Sequence, residues 1–255
     1  MQKTRLSKYS HWAVLLGFVT VLLVFAVQLI PNVTANSDQY EERGFTIIHR
    51  DAVTYGKTSG EWAGEWWQWA LSIPYSEHPL ANNPDCSVGQ SGPVWFLGGS
   101  FVTNTAIRNC TIPAGTYLFF PILNGEDSAL EESQGAGCSN PPINDASIVY
   151  VRKCVESYEN GVNLSAEIDG VSIPNIAARY RVQSPAYSIT LPTDNVFANT
   201  ASGTFPGGTY FPSITDGYYL MLAPLRPGPH KIHFHGIGNN NSFQLDITYF
   251  LTVLR

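Results

Sequence analysis

Most of this 255-residue chain beyond residue 93 consists of short apolar runs separated by turn residues. The runs are rich in β-branched and aromatic residues, and glycine, proline or asparagine bounds each one, which is typical of β-strands. Asp169-Gly170 lies between two runs and predicts a two-residue hairpin turn. No strand–helix–strand alternation and no internal repeat occur. We therefore predict a mostly β fold, an antiparallel β-sandwich of jelly-roll or immunoglobulin-like type. The runs are "PVWFLGG", "TYLFFPIL", "VNLSAEI", "ARYRV", "GYYLMLAPL", "HKIHFHGI" and "FQLDITYFLTVL".

Two helices are predicted beside these strands. The first runs from about Gly60 to Ser72 and ends before Pro74, since proline disfavours helix in the residue before it. At about 100° per residue its tryptophans share one broad apolar arc, so we expect an amphipathic helix that packs them against the sandwich. The second helix is expected at residues 144–157. The tryptophans are Trp62, Trp66, Trp67 and Trp69, of which Trp67 or Trp69 lies near enough to the edge of the arc to border a groove.

The N-terminal segment predicts export. A basic start is followed by an uncharged apolar run at residues 12–30, then Pro31 and small residues that a signal peptidase accepts. The run is also long enough to span a membrane. Residues 1–35 are therefore either a signal peptide or an N-terminal membrane anchor. Both alternatives place residues 36–255, as a single extracytoplasmic domain, outside the cytoplasm.

The charge balance of the domain excludes two classes of partner. The chain carries a net charge of −6, and residues 1–35 hold three of its positive charges and no acidic residue, so the remainder carries −9. An acidic body lacks the basic footprint that nucleic-acid binding requires. It also disfavours an anionic membrane surface, so any membrane contact is expected only through residues 12–30.

The four cysteines all follow the export segment. No Cys-x-x-Cys pair of the zinc-binding kind is present, so disulfides are expected. Pairing of sequence neighbours closes the shortest loops and predicts Cys86–Cys110 and Cys138–Cys154. Sequons at Asn109, Asn163 and Asn240 are candidate glycosylation sites on an exported surface.

Several of these segments together resemble a family of uncharacterised exported proteins from bacteria and archaea. The resemblance rests on "YGKTSGEWAGEWWQWALSIP", "GQSGPVWFLGG", "IPAGTYLFFPILN" and "PGPHKIHFHG…DITYFLTV", and covers most of residues 55–255. It implies an exported globular domain. It implies no activity and no catalytic residue.

The polar side of the tryptophan helix offers the first binding candidates. Thr58 and Glu61 match a capping box, which explains Glu61 structurally. Glu65 and Gln68 have no comparable duty, and with Trp69 they are candidates for a site of polar groups beside an aromatic wall. A solvated helix face is the plainer interpretation of the same residues.

Three histidines are the candidate metal ligands. His233 and His235 alternate along a predicted strand and therefore share a face, whereas His230 joins them only if a bulge turns it around. Imidazole is a common ligand of zinc and copper. No acidic residue of the expected kind follows, so we predict no stoichiometric metal and only weak zinc or copper binding.

An acidic segment, "LNGEDSALEESQGAGC", holds Glu126, Asp127, Glu131 and Glu132 in what reads as a glycine-rich loop. Oxygen-rich loops bind calcium when their carboxylates converge, but most acidic loops are simply solvated. Two carboxylates, such as Glu65 with Glu126, could also form a glycosidase pair.

The function expected from the sequence is a non-enzymatic, exported interaction or envelope-associated module with an unidentified extracellular or cell-envelope partner. One alternative is a metal- or carboxylate-dependent hydrolase that acts on extracellular glycan. A second is a metal-binding protein that uses the histidine strand. The enzyme question stays open at this point, because a fold alone does not imply catalysis.

Overall fold

A computed structural model describes residues 40–42, 44–81, 85–238 and 240–255. The predicted export segment, residues 1–35, lies outside the described residues. The described residues contain no helix long and apolar enough to cross a membrane. Within the described residues the fold is mostly β, as predicted, with two sheets and five α-helices.

The strands form one seven-stranded and one five-stranded sheet. In the first, the order is β1-β2-β10-β5-β3, and β8 and β9 also pair with β10. In the second, the order is β4-β12-β11-β6-β7. The strands are β1 Tyr40–Glu42, β2 Phe45–Ile47, β3 Val94–Phe96, β4 Asn104–Ile112, β5 Tyr117–Ser128, β6 Asn163–Ile168, β7 Val171–Ser172, β8 Arg181–Gln183, β9 Tyr187–Leu191, β10 Gly208–Leu222, β11 Gly228–Gly238 and β12 Phe243–Val253.

The expectation of a purely antiparallel arrangement is wrong. Each sheet contains one parallel pair, β3 with β5 and β4 with β12, so both sheets are mixed. The predicted hairpin at Asp169-Gly170 is confirmed: it joins β6 to β7, and both turn residues have positive φ, as a type I′ turn requires.

The two sheets pack face to face in a sandwich-like arrangement. Phe120 of β5 stacks on Phe234 of β11 with ring centroids 5.6 Å apart, and both side chains are fully buried. The neighbouring Phe119 points to the opposite face of β5, where it stacks on Tyr219. Because both faces of β5 are covered, this strand shows a continuous apolar run instead of an alternating pattern.

The outer face of the seven-stranded sheet is covered by the tryptophan helix, α1, at Ser59–Ser72. Trp62, Trp66 and Trp69 are buried, so the predicted structural role of this arc is confirmed. The opposite side of α1 is not all solvated, because Gly64 packs against the ring of Tyr187 on β9, a strand that the sequence pattern had not indicated.

The other helices are short except one. The second predicted helix is α3, at Ile148–Tyr158 in place of residues 144–157, and Ser147 caps its N-terminus. Three helices were not predicted, namely α2 Ala129–Gln134, α4 Ile176–Arg179 and α5 Val196–Thr200.

The two disulfides pair the cysteines as predicted. Cys86–Cys110 joins the loop before β3 to β4, and Cys138–Cys154 joins the segment after α2 to α3. The second disulfide therefore holds α3 against the acidic segment.

Candidate functional site

The acidic segment is not the solvated loop that the sequence suggested. Glu126 and Asp127 end strand β5, and Glu131 and Glu132 lie on α2, which starts directly after it. All four side chains are buried, with 7% exposure at Glu126 and Glu131 and none at Asp127 and Glu132. Buried carboxyl groups are costly unless they are protonated or well bonded, so this cluster requires a physical explanation.

The backbone sorts the four carboxyls into two pairs. Adjacent residues on a strand point to opposite faces, so Glu126 and Asp127 diverge. Adjacent residues on α2 diverge as well, and Glu131 reaches Glu126 while Glu132 reaches Asp127. Two carboxyl groups can bond to each other only when one carries a proton. Each pair therefore holds a shared proton in the folded state.

The first pair, Glu126 with Glu131, is supported by serines. Ser213 on β10 donates a 2.5 Å hydrogen bond to Oε1 of Glu126, and Ser128 donates one of 2.8 Å to Oε2 of Glu131. Burial raises the pKa of Glu126 to about 7, against the hydrogen bonds from Glu131 and Ser213, which lower it. Burial, and then the charge of Glu126, raises the pKa of Glu131 well above its usual range. Glu131 is thus the proton holder, and Glu126 ionises first.

This pair lines a cavity of about 520 Å³. Six aromatic side chains from distant parts of the chain form much of its wall: Trp66, Trp67, Phe101, Tyr158, Phe197 and Phe243. Trp67 is fixed in place because its indole N–H donates a 2.9 Å bond to Oγ1 of Thr215 on β10. The arrangement is a polar pair at an aromatic-walled cavity, which is the usual make-up of a small-molecule site.

The second pair, Asp127 with Glu132, faces away from that cavity. Glu132 accepts backbone N–H bonds from Cys138 at 2.8 Å and Ser139 at 3.2 Å, and a short bond from the Ser139 hydroxyl. Within the described part of the chain, neither oxygen of Asp127 has an N–H or O–H partner. Gly137 lies so close to both carboxyls that a Cβ there would collide with them.

The pKa of Asp127 is raised further than that of Glu126. Burial is the main cause, the charges of Glu126 and Glu132 add to it, and together they raise the pKa to about 9. Asp127 is therefore a neutral acid at physiological pH, which explains how it lies fully buried beside another carboxyl.

The four carboxyls do not converge on one point. Among the described residues, three potential ligand atoms come within 4.8 Å of one another only at Glu132, Cys138 and Cys154, and those two cysteines form a disulfide. Calcium at the acidic segment stays an alternative, and the geometry of two separate pairs gives it no converging ligand set.

The binding candidates on α1 lie away from this site. Glu65 forms a 2.6 Å ion pair with Lys57, and Gln68 donates a 3.0 Å bond to the carbonyl of Ser188. Trp69 is buried and bonds to the carbonyl of Val88. Glu65 lines a different cavity from Glu126, so the structure does not bring this proposed glycosidase pair together. Of the two edge tryptophans, Trp67 borders the carboxyl cavity.

The three histidines lie on β11 with separate partners. His230 contacts Asp169 at 2.6 Å, and His233 contacts Asp246 at 2.7 Å. His235 lies 3.4 Å from the side-chain amide of Gln244. None belongs to a group of three potential ligands among the described residues. The predicted absence of a stoichiometric metal stays a prediction.

The glycosylation candidates Asn109, Asn163 and Asn240 are all exposed. Exposure permits modification but does not show it, so glycosylation at these positions stays a prediction.

The sequence contained one missed signal for the site. Ser128-Ala129-Leu130-Glu131 matches the S/T-x-x-E capping box, the same pattern that predicts the start of α1 at Thr58. Applied here, it would have placed a helix start inside the acidic segment. The serine on β10 and the aromatic walls come from distant parts of the chain, and no local pattern indicates them.

Comparisons with known proteins add little to this picture. No protein-family model matches the chain, and no curated protein matches it. Among solved structures, PbICP-C in complex with falcipain-2 aligns with 12% identity and a TM-score of 0.26, and the solution structure of Amebosin with 11% and 0.20. Each alignment covers 64% of this chain and 99% of the other. Similarity at this level supports no inference about function.

Proposed function

We propose that this protein is a hydrolase that uses Glu126 and Glu131 as a carboxylate–carboxylic acid pair. The observation that carries the proposal is a buried carboxyl pair that shares a proton and faces an aromatic-walled cavity. Its two members differ in proton affinity, so one acts as base and the other as acid at the same pH.

The proposed reaction is the addition of water to a carbonyl. The Glu126 carboxylate takes a proton from a water molecule as its oxygen attacks the carbonyl carbon, and Glu131 gives its proton to the carbonyl oxygen. The resulting gem-diol collapses when the bond to the leaving group breaks, Glu126 passes its proton to that group, and one hydroxyl of the gem-diol returns its proton to Glu131. The products are an acid and an amine or alcohol, and the pair again holds one proton.

The spacing of the pair favours this chemistry over glycoside hydrolysis. Glycosidase carboxyls lie roughly 5–10 Å apart to leave room for the sugar or a water molecule. Glu126 and Glu131 bond directly to each other, as in pairs that add water to amides or esters. The non-enzymatic module expected from the sequence is the competing proposal, in which the pair is purely structural.

We also propose that the protein acts outside the cytoplasm. Two disulfides among the described residues support this location, because disulfides persist in oxidising compartments.

Labelling by an aryl epoxide tests the pair without knowledge of the substrate. The epoxide 1,2-epoxy-3-(4-nitrophenoxy)propane esterifies a carboxylate whose neighbour can protonate the opening ring, so we expect about one adduct per molecule, on Glu126 or Glu131. Glu131→Gln, which has no proton to give, should remove the adduct. Glu65→Gln serves as the matched control and should leave it unchanged.

The outcome also separates the two proposals. Adducts spread over exposed carboxyls, or none at all, would show that the pair lacks an accessible ionised member. The carboxyl pair would then be structural, and the non-enzymatic module would become the better description of the protein.

A further inference from the structure

A second, smaller cavity lies beside the carboxyl cavity. It measures about 180 Å³ and shares Asn124, Tyr158 and Phe243 with the larger one as lining residues. Leu123, Phe243 and Tyr158 provide apolar wall, and Glu159 is its acidic residue. The volume corresponds to about six water molecules, at roughly 30 Å³ each.

The acidic residue of this cavity lacks a full set of partners. Glu159 directly follows α3 and is only 6% exposed. Its Oε2 atom has no hydrogen-bond partner among the described residues. A buried carboxyl oxygen without a partner is costly, and native proteins usually satisfy such a group with a ligand, a water molecule or a proton.

The nearby positive charge is already committed. Arg181 forms a two-pronged ion pair with Asp216, with nitrogen–oxygen distances of 3.0 and 2.8 Å. Burial, and then the charge of Asp216, raises the pKa of Glu159 to about 9, while Arg181 acts in the opposite direction. The environment of Glu159 therefore disfavours its ionised form, and a further cation nearby would stabilise that form.

The wall shared with the larger cavity is also electronegative. The side chain of Tyr158 has its pKa raised by burial and by the charges of the carboxyls of both pairs. A cationic ligand is favoured here over an anionic one, because Glu126 in the adjoining cavity is ionised above about pH 7.

We propose that this cavity binds a primary ammonium group on a short alkyl chain, with Glu159 as its counter-ion. Leu123, Phe243 and the Tyr158 ring would contact the methylene groups, and the Glu159 carboxylate would receive the ammonium hydrogens. A lysine side chain has this length and chemistry. The ammonium site is inferred independently of the proposed hydrolase activity. If that proposed function holds, on which this consequence rests, the substrate carries a lysine or alkylamine group next to the hydrolysed bond.

Calorimetric titration with n-butylammonium chloride tests the binding at about pH 8, where an alkylammonium stays charged. Because Glu159 is protonated below about pH 9, binding should release close to one proton, which titrations in buffers of different ionisation enthalpy measure. n-Butanol, a neutral isostere, should bind much more weakly and release none.

Substitutions at Glu159 test whether butylammonium binds in this cavity. Glu159→Gln should weaken butylammonium binding by about 30-fold or more and abolish the proton release, which is the scale expected for loss of a buried charge partner. Glu159→Asp, which keeps the charge, should retain part of the affinity. Glu167→Gln on β6 is the matched control and should bind normally. Thermal melting of each variant excludes misfolding.

Three results would overturn the inference: no binding of butylammonium, equal binding by the Glu159→Gln variant, or binding without proton release. Epoxide labelling of Glu126 or Glu131 does not involve an amine. Its success or failure therefore judges the hydrolase proposal separately from the ammonium site.

Discussion

The substitution Asp127→Asn should make the protein progressively more stable than the wild type as the pH rises. Asp127 is fully buried, and burial with the charges of Glu126 and Glu132 raises its pKa from 3.8 to about 9. Between those values the folded state holds a proton that the unfolded state has released. The unfolding free energy of the wild type must then fall as the pH rises, by about 1.4 kcal/mol per pH unit for this group.

Asparagine has no such proton to lose. Its amide can still donate to the Glu132 carboxylate, so it replaces the protonated acid with little change in shape. The stability difference between variant and wild type should therefore grow by roughly 4 kcal/mol from pH 5 to pH 8, since both limits lie inside the window. The slope of this stability difference against pH depends on the pKa of Asp127 in the folded state and not on the energy of any single contact.

Urea denaturation at intervals between about pH 5 and 8, with both disulfides intact, measures the slope. Asp145→Asn is the matched control, because Asp145 is exposed. Its curve should stay parallel to that of the wild type. If the Asp127→Asn curve is parallel as well, Asp127 is ionised in the folded protein, and the argument that each carboxyl pair shares a proton is refuted.

Three further predictions follow from the same structure. For a hydrolysed substrate, kcat/KM should rise with pH through about 7 as Glu126 ionises. Glu131→Gln should remove the activity. A pH profile without a step near 7 would exclude Glu126 as the base. Trp66→Ala should lower the free energy of unfolding by about 3–5 kcal/mol in denaturant melts, because Trp66 is buried and bonds to the Leu97 carbonyl. Glu65→Ala should lower it by under about 0.5 kcal/mol despite the exposed ion pair of Glu65 with Lys57. Similar small losses from both variants would contradict the buried arc. Elemental analysis of protein purified without chelator should find no stoichiometric copper, zinc or iron, and one equivalent that a His233→Ala/His235→Ala variant loses would refute this.

Sequence patterns predicted the parts of the fold that depend on local chemistry. The Asp169-Gly170 turn needs two residues that tolerate positive φ, and α1 needs a cap and an apolar arc; both can be read along the chain. Strands β4 and β9 were missed because polar residues interrupt their apolar residues and leave no continuous apolar run. The parallel pairing of β4 with β12 depends on the whole topology, and no local pattern reports it.

The candidate site was mispredicted for a different reason. Four acidic residues within seven positions normally indicate a solvated surface, since an ionised carboxylate resists burial. That expectation assumes that the carboxyls are charged. Burial itself raises their pKa, so the cluster becomes compatible with the interior only after the fold has formed around it.

The position of the two pairs shows how one strand end can serve two purposes. Because Glu126 and Asp127 are neighbours on β5, one faces the aromatic-walled cavity and the other faces the segment that the Cys138–Cys154 disulfide holds. In the second pair, Asp127 keeps its proton up to about pH 9, and Glu132 bonds to the backbone beside that disulfide. The second pair can therefore fix α2 while Glu126 of the first pair ionises near neutrality. A reactive acid pair requires a rigid support of this kind, because small displacements of its oxygens change both proton affinities.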